Sequence, residues 1–218
     1  MVRVWLVLAL MALSSGCPVT QCGKGIELSG VTKTDAKDLP NFTSVEFAGV
    51  GEAEIKIGAK SSIEMTGDTN VLARIHTDVT SGRLVIKQDS GFTVFGSQGP
   101  HFVITTPKLE AIKQSGAMSV KALSLATDHL NIDQSGAGKI ELSGKVRDLT
   151  LSLSGAGDIE ANALNADNVT ANVSGFGNIS VHANVLLKAD ISGAGSIEYS
   201  GSAKVEKSIS GVGSIHQK

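Results

Sequence analysis

Six serine-glycine corners and one N-terminal cysteine are the residues whose types and spacing could do chemistry. The corners share the motif Ser-Gly-x-Gly-x-Ile. They are Ser115-Gly116-Ala117-Met118-Ser119-Val120, which lacks the second glycine, and Ser135-Gly136-Ala137-Gly138-Lys139-Ile140. Next come Ser154-Gly155-Ala156-Gly157-Asp158-Ile159 and Ser174-Gly175-Phe176-Gly177-Asn178-Ile179. The last two are Ser192-Gly193-Ala194-Gly195-Ser196-Ile197 and Ser210-Gly211-Val212-Gly213-Ser214-Ile215. The serines lie 20, 19, 20, 18 and 18 residues apart, a regularity that marks an internal repeat.

Such Gly-rich corners could bind calcium, cradle a phosphate or present a nucleophile. Calcium rolls need an Asp where this motif has Ile or Val, because the carboxylate is the ligand. Asp158 lies one position early. A dinucleotide fingerprint needs a third glycine and a helix, and here a strand-like run follows. No serine has a His and Asp partner identifiable by spacing, and its hydroxyl has backbone groups within reach. His76, His101, His129, His182 and His216 show no metal-ligand spacing. The outward positions Ser119, Lys139, Asp158, Asn178, Ser196 and Ser214 form a mixed, mostly neutral row. That row lacks the convergent carboxylates of a β-helix glycosidase or lyase. The expectation is a non-enzyme with no catalytic, cofactor or metal site, the alternatives being a carbohydrate-active β-helix enzyme or a periplasmic structural protein without an extracellular ligand.

Cys17 has a different chemistry. Residues 1–16 carry Arg3, an apolar run from Val4 to Leu13, and the small residues Ser14, Ser15 and Gly16. Ten apolar residues suit a signal-peptide core and are too few to span a bilayer. Small residues before Cys17 resemble a lipoprotein processing site, where the thiol takes a diacylglycerol. The pattern departs from the usual one at Ser14, with Leu13 one residue further back. The alternatives are ordinary signal cleavage, leaving Cys17 and Cys22 free to form a disulfide, or a retained membrane helix. All three expect export to a cell envelope, with a lipid anchor favoured over a periplasmic or secreted protein.

The positioning elements follow from period. Residues one, three and five before each corner Ser are mostly apolar, as in Leu149, Leu151 and Leu153. This is a strand with one buried face. Ile140, Ile159, Ile179, Ile197 and Ile215 begin a second strand after the glycines. A looser third segment such as 162–168 completes a coil of about 19 residues. One coil cannot bury its own apolar face, but stacking at roughly 4.8 Å can, and six copies span roughly 25 Å. Glycine at the corner allows φ > 0 and close backbone approach. The fold class is therefore all-β, a parallel β-helix, with right-handed crossovers the default. Before residue 110 the pattern is less regular: strands around Val45–Ala48, Ala53–Ile57, Ser62–Met65, Arg83–Lys87 and His101–Thr105, and a short helical stretch around Asn70–Ile75. This portion is expected to form the first coils or an antiparallel cap. Residues 17–41 read as a tether and 42–218 as the solenoid domain.

Composition narrows the function classes. A net charge of −2 gives no basic excess for nucleic acid. Two cysteines cannot build a disulfide scaffold. With 25 Gly against 6 Phe, 1 Tyr and 1 Trp, thin stacked layers suit the chain better than a bulky core. Among the repeats only Phe176 and Tyr199 could stack on a sugar.

The residues also resemble a known family. Phe42-x-x-Val45-x-Phe47-x-Gly49, then Gly82-Arg83-Leu84-Val85-Ile86, then Thr106-Pro107-x-Leu109-x-x-Ile112-x-x-Ser115-Gly116, followed by the corners, is similar to the head GIN domain of putative auto-transporter adhesins. The resemblance runs from Phe42 to the C-terminus. It implies a right-handed β-helix shaped like the pectin lyases but without their catalytic residues, and a role in adhesion at a bacterial surface. The implied partner is a surface protein or glycan, with self-association through an open terminal edge a further option. Met118 and Lys207 depart from the repeat, and Lys207 implies that the last coil is partly exposed.

Overall fold

The computed structural model describes residues 27–89 and 99–218. The turn expected at Ser90-Gly91, the signal segment, and Cys17 and Cys22 lie outside the described residues. The repeats form four long strands that bend around the solenoid: β9 (Ala117–Gln134), β10 (Ala137–Leu153), β11 (Ala156–Val173) and β12 (Phe176–Ile191). They stack in parallel in that order. Each starts just after a corner Ser-Gly and runs through the two expected strands. The third segment, expected to be loose, is paired as well. Ser143–Val146 lies beside Ala163–Ala166, reached through a register shift after Glu141. The bulge turns the strand without ending its ladder.

Two faces extend beyond these strands. On one, β7 (His101–Thr106) and β3 (Val50–Ile57) precede β9, while β13 (Ala194–Ser200) and β15 (Val212–Gln217) follow β12. On the other, β6 (Arg83–Gln88), β2 (Ser44–Ala48) and β8 (Ala111–Gln114) precede the second half of β9, while β14 (Lys204–Ile209) follows β12. The coil order is not the chain order: β2 lies between β6 and β8, and β3 between β7 and β9. The chain thus enters at an inner coil, adds the outer one, and returns.

The detour forms an antiparallel cap. β4 (Ser62–Asp68) runs antiparallel to β7, and β1 (Thr32–Asp38) runs antiparallel to β4. β5 (Ile75–Thr80) pairs antiparallel with β6. Their turn holds Ser81 at φ 52 and Gly82 at φ 75, the two positive angles of a type I′ hairpin. The short helix α1 (Thr69–Leu72) is capped by Asp68, whose carboxylate accepts from the Asn70 N–H, and it buries Val71 and Leu72. β1 falls inside the segment 17–41 expected to be a tether. Its Thr-Lys-Thr-Asp alternation has almost no buried face, so no hydrophobic period announces it.

The core is a set of columns. Val45, Ile112, Ile132, Leu151, Ala171 and Ala189 form one, in direct register and nearly inaccessible. Ala53, Val120, Ile140, Ile159, Ile179, Ile197 and Ile215 form another. Two buried amides interrupt the apolar layers. Gln134 Nε2 donates to the Gly138 carbonyl at 2.9 Å, and Gln114 Nε2 to Ala137 at 2.6 Å and Met118 at 3.1 Å. Each amide thus donates to corner carbonyls, while its own Oε1 is buried without a hydrogen-bond partner.

Candidate functional site: the corner ridge and its flanking columns

Each corner is held from the coil before it. The Gln134 carbonyl accepts from both the Ser154 and Gly155 N–H groups, and Gly136 accepts from Ala156. The same pattern recurs at Ser174–Phe176, Ser192–Ala194 and Ser210–Val212. It sets Gly155 so close that a Cβ there would lie 1.9 Å from the Gly136 oxygen. The first glycines, Gly116, Gly136, Gly155, Gly175, Gly193 and Gly211, are all fixed by this approach and not by φ > 0. Of the second glycines in these six corners, Gly138 and Gly177 have positive φ, while Gly157, Gly195 and Gly213 do not. Met118, in the second-glycine position, turns its side chain into the core and is 3% exposed.

A seventh corner escaped the repeat. Ala48-Gly49-Val50-Gly51 stacks under Ser115-Gly116, and the Gly49 carbonyl accepts from Ala117. Gly-x-Gly was a legible signal, hidden by Ala48 in place of Ser and Ala53 in place of Ile. A second glycine corner, at Gly144 and Gly201, closes the third side. Cβ atoms there would meet the Leu125 and Ala183 oxygens at 2.2 and 2.1 Å.

The stacked corners leave one continuous outer feature. The residue between the glycines is apolar in every copy: Val50, Ala117, Ala137, Ala156, Phe176, Ala194 and Val212, each in register with the next. Phe176 is 71% and Val212 78% exposed. The ridge is roughly 29 Å long at the spacing of stacked strands. The corner serines run along one flank, all exposed. Ser115 and Ser135 spend their hydroxyls on the Phe47 and Gln114 carbonyls.

On the other flank the outward row expected from the repeat is a true column, Ser119, Lys139, Asp158, Asn178, Ser196 and Ser214. Asn178 donates to Asp158 at 2.9 Å, and Ser196 to Asn178 at 2.7 Å. The next column is charged. Lys139 bridges Glu160 at 2.9 Å and Glu141 at 3.0 Å, and Lys121 reaches Glu141 at 3.5 Å. The hydrogen bond from Lys139 holds the Glu141 carboxyl below its ordinary 4.5, with Lys121 adding to it.

A third cluster lies at the other end of the coil. Arg147 reaches Asp148 at 3.1 Å, Asp128 at 3.4 Å and His129 Nε2 at 2.9 Å, while His129 Nδ1 faces Asp148 at 3.1 Å. Asn168 donates to Asp148 at 2.8 Å. That bond, then Arg147, holds the Asp148 carboxyl below its ordinary 3.8. Both lowered carboxylates are charged in the native chain, so their contribution is present at neutral pH. It is lost as pH falls through and below the ordinary carboxylate range. Thermal melts should be flat from neutral pH down to about 5 and fall below it. Asp148→Asn and Glu141→Gln together should make the acid limb shallower, and an unchanged limb would show that these pairs contribute nothing.

Spacing missed one further grouping. Ser214 Oγ lies 3.4 Å from His216 Nδ1, and His216 Nε2 lies 3.8 Å from Glu198. Both distances are long for a proton relay, and Ser214 and His216 are exposed. Among the described residues no group of three or more His, Cys, Asp or Glu side chains could hold a metal ion. No described helix is long and apolar enough to cross a membrane. A small, partly open and mostly apolar pocket against Phe47, Phe102 and Met118 has a volume of about 10 Å³.

Solved structures share this architecture. A putative adhesin from Bacteroides fragilis is 25% identical with a TM-score of 0.71, covering 89% of this chain and 100% of its own. A putative lipid binding protein from Parabacteroides distasonis is 22% identical with a TM-score of 0.52, over the same shares. No curated protein matches the sequence. The family model described as "Putative auto-transporter adhesin, head GIN domain" matches residues 41–203. With stacked parallel coils, corner glycines and that match over most of its length, the chain belongs to the head GIN domain family.

Proposed function

We propose that this chain is a non-enzymatic adhesin-type protein of the cell envelope, exported and tethered by a lipid on Cys17, which presents the corner ridge to a surface protein or glycan. The observation that carries the reading is the unbroken apolar row from Val50 to Val212, exposed at every coil but that of Ala194, which is half-buried. Scattered apolar surface residues need no explanation, but a row kept in register by the fold marks an interaction surface. The putative adhesin of Bacteroides fragilis supports the class. The stacked backbone gives the ridge rigidity, so little ordering is lost on binding.

The test uses cells displaying the protein. Ala137→Lys and Phe176→Lys should abolish adherence to ligand-bearing surfaces without lowering the melting temperature, because both side chains already face solvent. Protease shaving of intact cells should release the wild-type domain. Protection from shaving would place it in the periplasm and remove adhesion. Intact mass of the mature N-terminus should show a diacylglyceryl Cys17, and a Cys17–Cys22 bridge would refute the anchor.

A further inference from the structure

The core column Val45, Ile112, Ile132, Leu151, Ala171, Ala189 ends on Lys207, in register with Ala189. Every earlier member is buried and apolar, so a charge here reverses the rule of the column. Lys207 is exposed at the end of the stack, yet its side chain is held across that end. Its ammonium donates to the Ile215 carbonyl on β15 at 3.0 Å and sits 4.9 Å from the centroid of the Tyr199 ring. The aliphatic stem thus crosses from β14 toward β15 over the end of the core. A second polar substitution accompanies it: Gln217 follows Tyr199 in the column that carries Ala161 and Val181 below.

We propose that Lys207 is a stop, closing this end of the solenoid against pairing with a second copy of the chain. Among the described residues β14 pairs only with β12 and β15 only with β13, so each presents a free row of backbone donors and acceptors. Such an edge is a template for another strand, and Ile209, 47% exposed, would reward it with burial. A further coil seated here would bury the Lys207 ammonium. Two copies meeting end to end across a two-fold axis would also bring their two Lys207 charges together. An inward-pointing charge on an edge strand is a recognised way of preventing such pairing.

Sedimentation velocity on the full chain tests this, in a mild detergent for residues 4–13 and under reducing conditions so that Cys17 and Cys22 take no part. Wild type should keep one mass across the concentration range. Lys207→Leu should rise with concentration to about twofold that mass or more, as end-to-end pairing requires. Lys207→Ala should do the same, and it places in this column the residue that Ala171 and Ala189 already carry, so folding is not at risk. Lys207→Arg should stay at the wild-type mass. The association should persist when Phe176→Ser is added, which separates the end from the ridge. Alanine and leucine variants that stay at wild-type mass would overturn the proposal. So would an arginine variant that associates, a wild type that already does, or an association that Phe176→Ser abolishes.

Discussion

Gly155→Ala should be among the most destabilising single-atom additions this chain can receive, costing about 3 kcal/mol or more. The backbone angle is not the obstacle, since Gly155 has no positive φ. The obstacle is the coil beneath. The new Cβ would stand 1.9 Å from the Gly136 oxygen and 2.6 Å from the Ser135 oxygen. Neither is a side chain that can swing away; both are ladder carbonyls, and relieving the contact means parting the coils and stretching their hydrogen bonds. Gly82→Ala supplies the contrast. It has φ 75 but nothing within 4 Å of its Cβ, so it should cost only about 1 kcal/mol of torsional strain. Urea unfolding of both variants separates crowding from torsion. Equal losses would show that the corner glycines are chosen for their backbone angle and not for the approach.

Leu151→Ala is the second large effect, expected in the upper half of about 2–5 kcal/mol. Leu151 is fully buried, with Ile132 on one side and Ala171 on the other. The column narrows from isoleucine and leucine to Ala171 and Ala189, so the missing side chain would leave three alanines in succession. Their short side chains cannot reach into the space, and the rigid ladder limits collapse. Because each coil touches only its neighbours, a weakened central interface also loosens the coupling between the two ends. The same chemical unfolding measurement checks it, with Ser152→Ala, an outward neighbour, expected within about 0.5 kcal/mol of wild type. A small loss at Leu151 would mean that the columns repack freely, against the in-register core.

The repeated half was legible because burial and steric approach recur at one spacing. Ile140 to Ile215 and the paired glycines each answer the same local demand, coil after coil. The corner at Ala48-Gly49-Val50-Gly51 was missed because two of its marker residues differ while its backbone geometry does not. β1 is hidden within the 17–41 segment because an exposed edge strand imposes no apolar period. Gly144 and Gly201 occur in only two copies, so their corner had no repeat to reveal it. The Arg147–Asp148–His129 and Ser214–His216–Glu198 groupings join side chains from different coils or rows, which depends on register.

From the sequence alone came the stacked parallel coils, the glycine hinges, the apolar columns and the family, since all of these follow from what each short segment must bury. The tertiary structure alone decided which coil lies outermost, how the antiparallel strands cap it, which outward residues meet, and that Lys207 crosses the open end of the core. Those outcomes rest on contacts between segments far apart in the chain, and no local period encodes them.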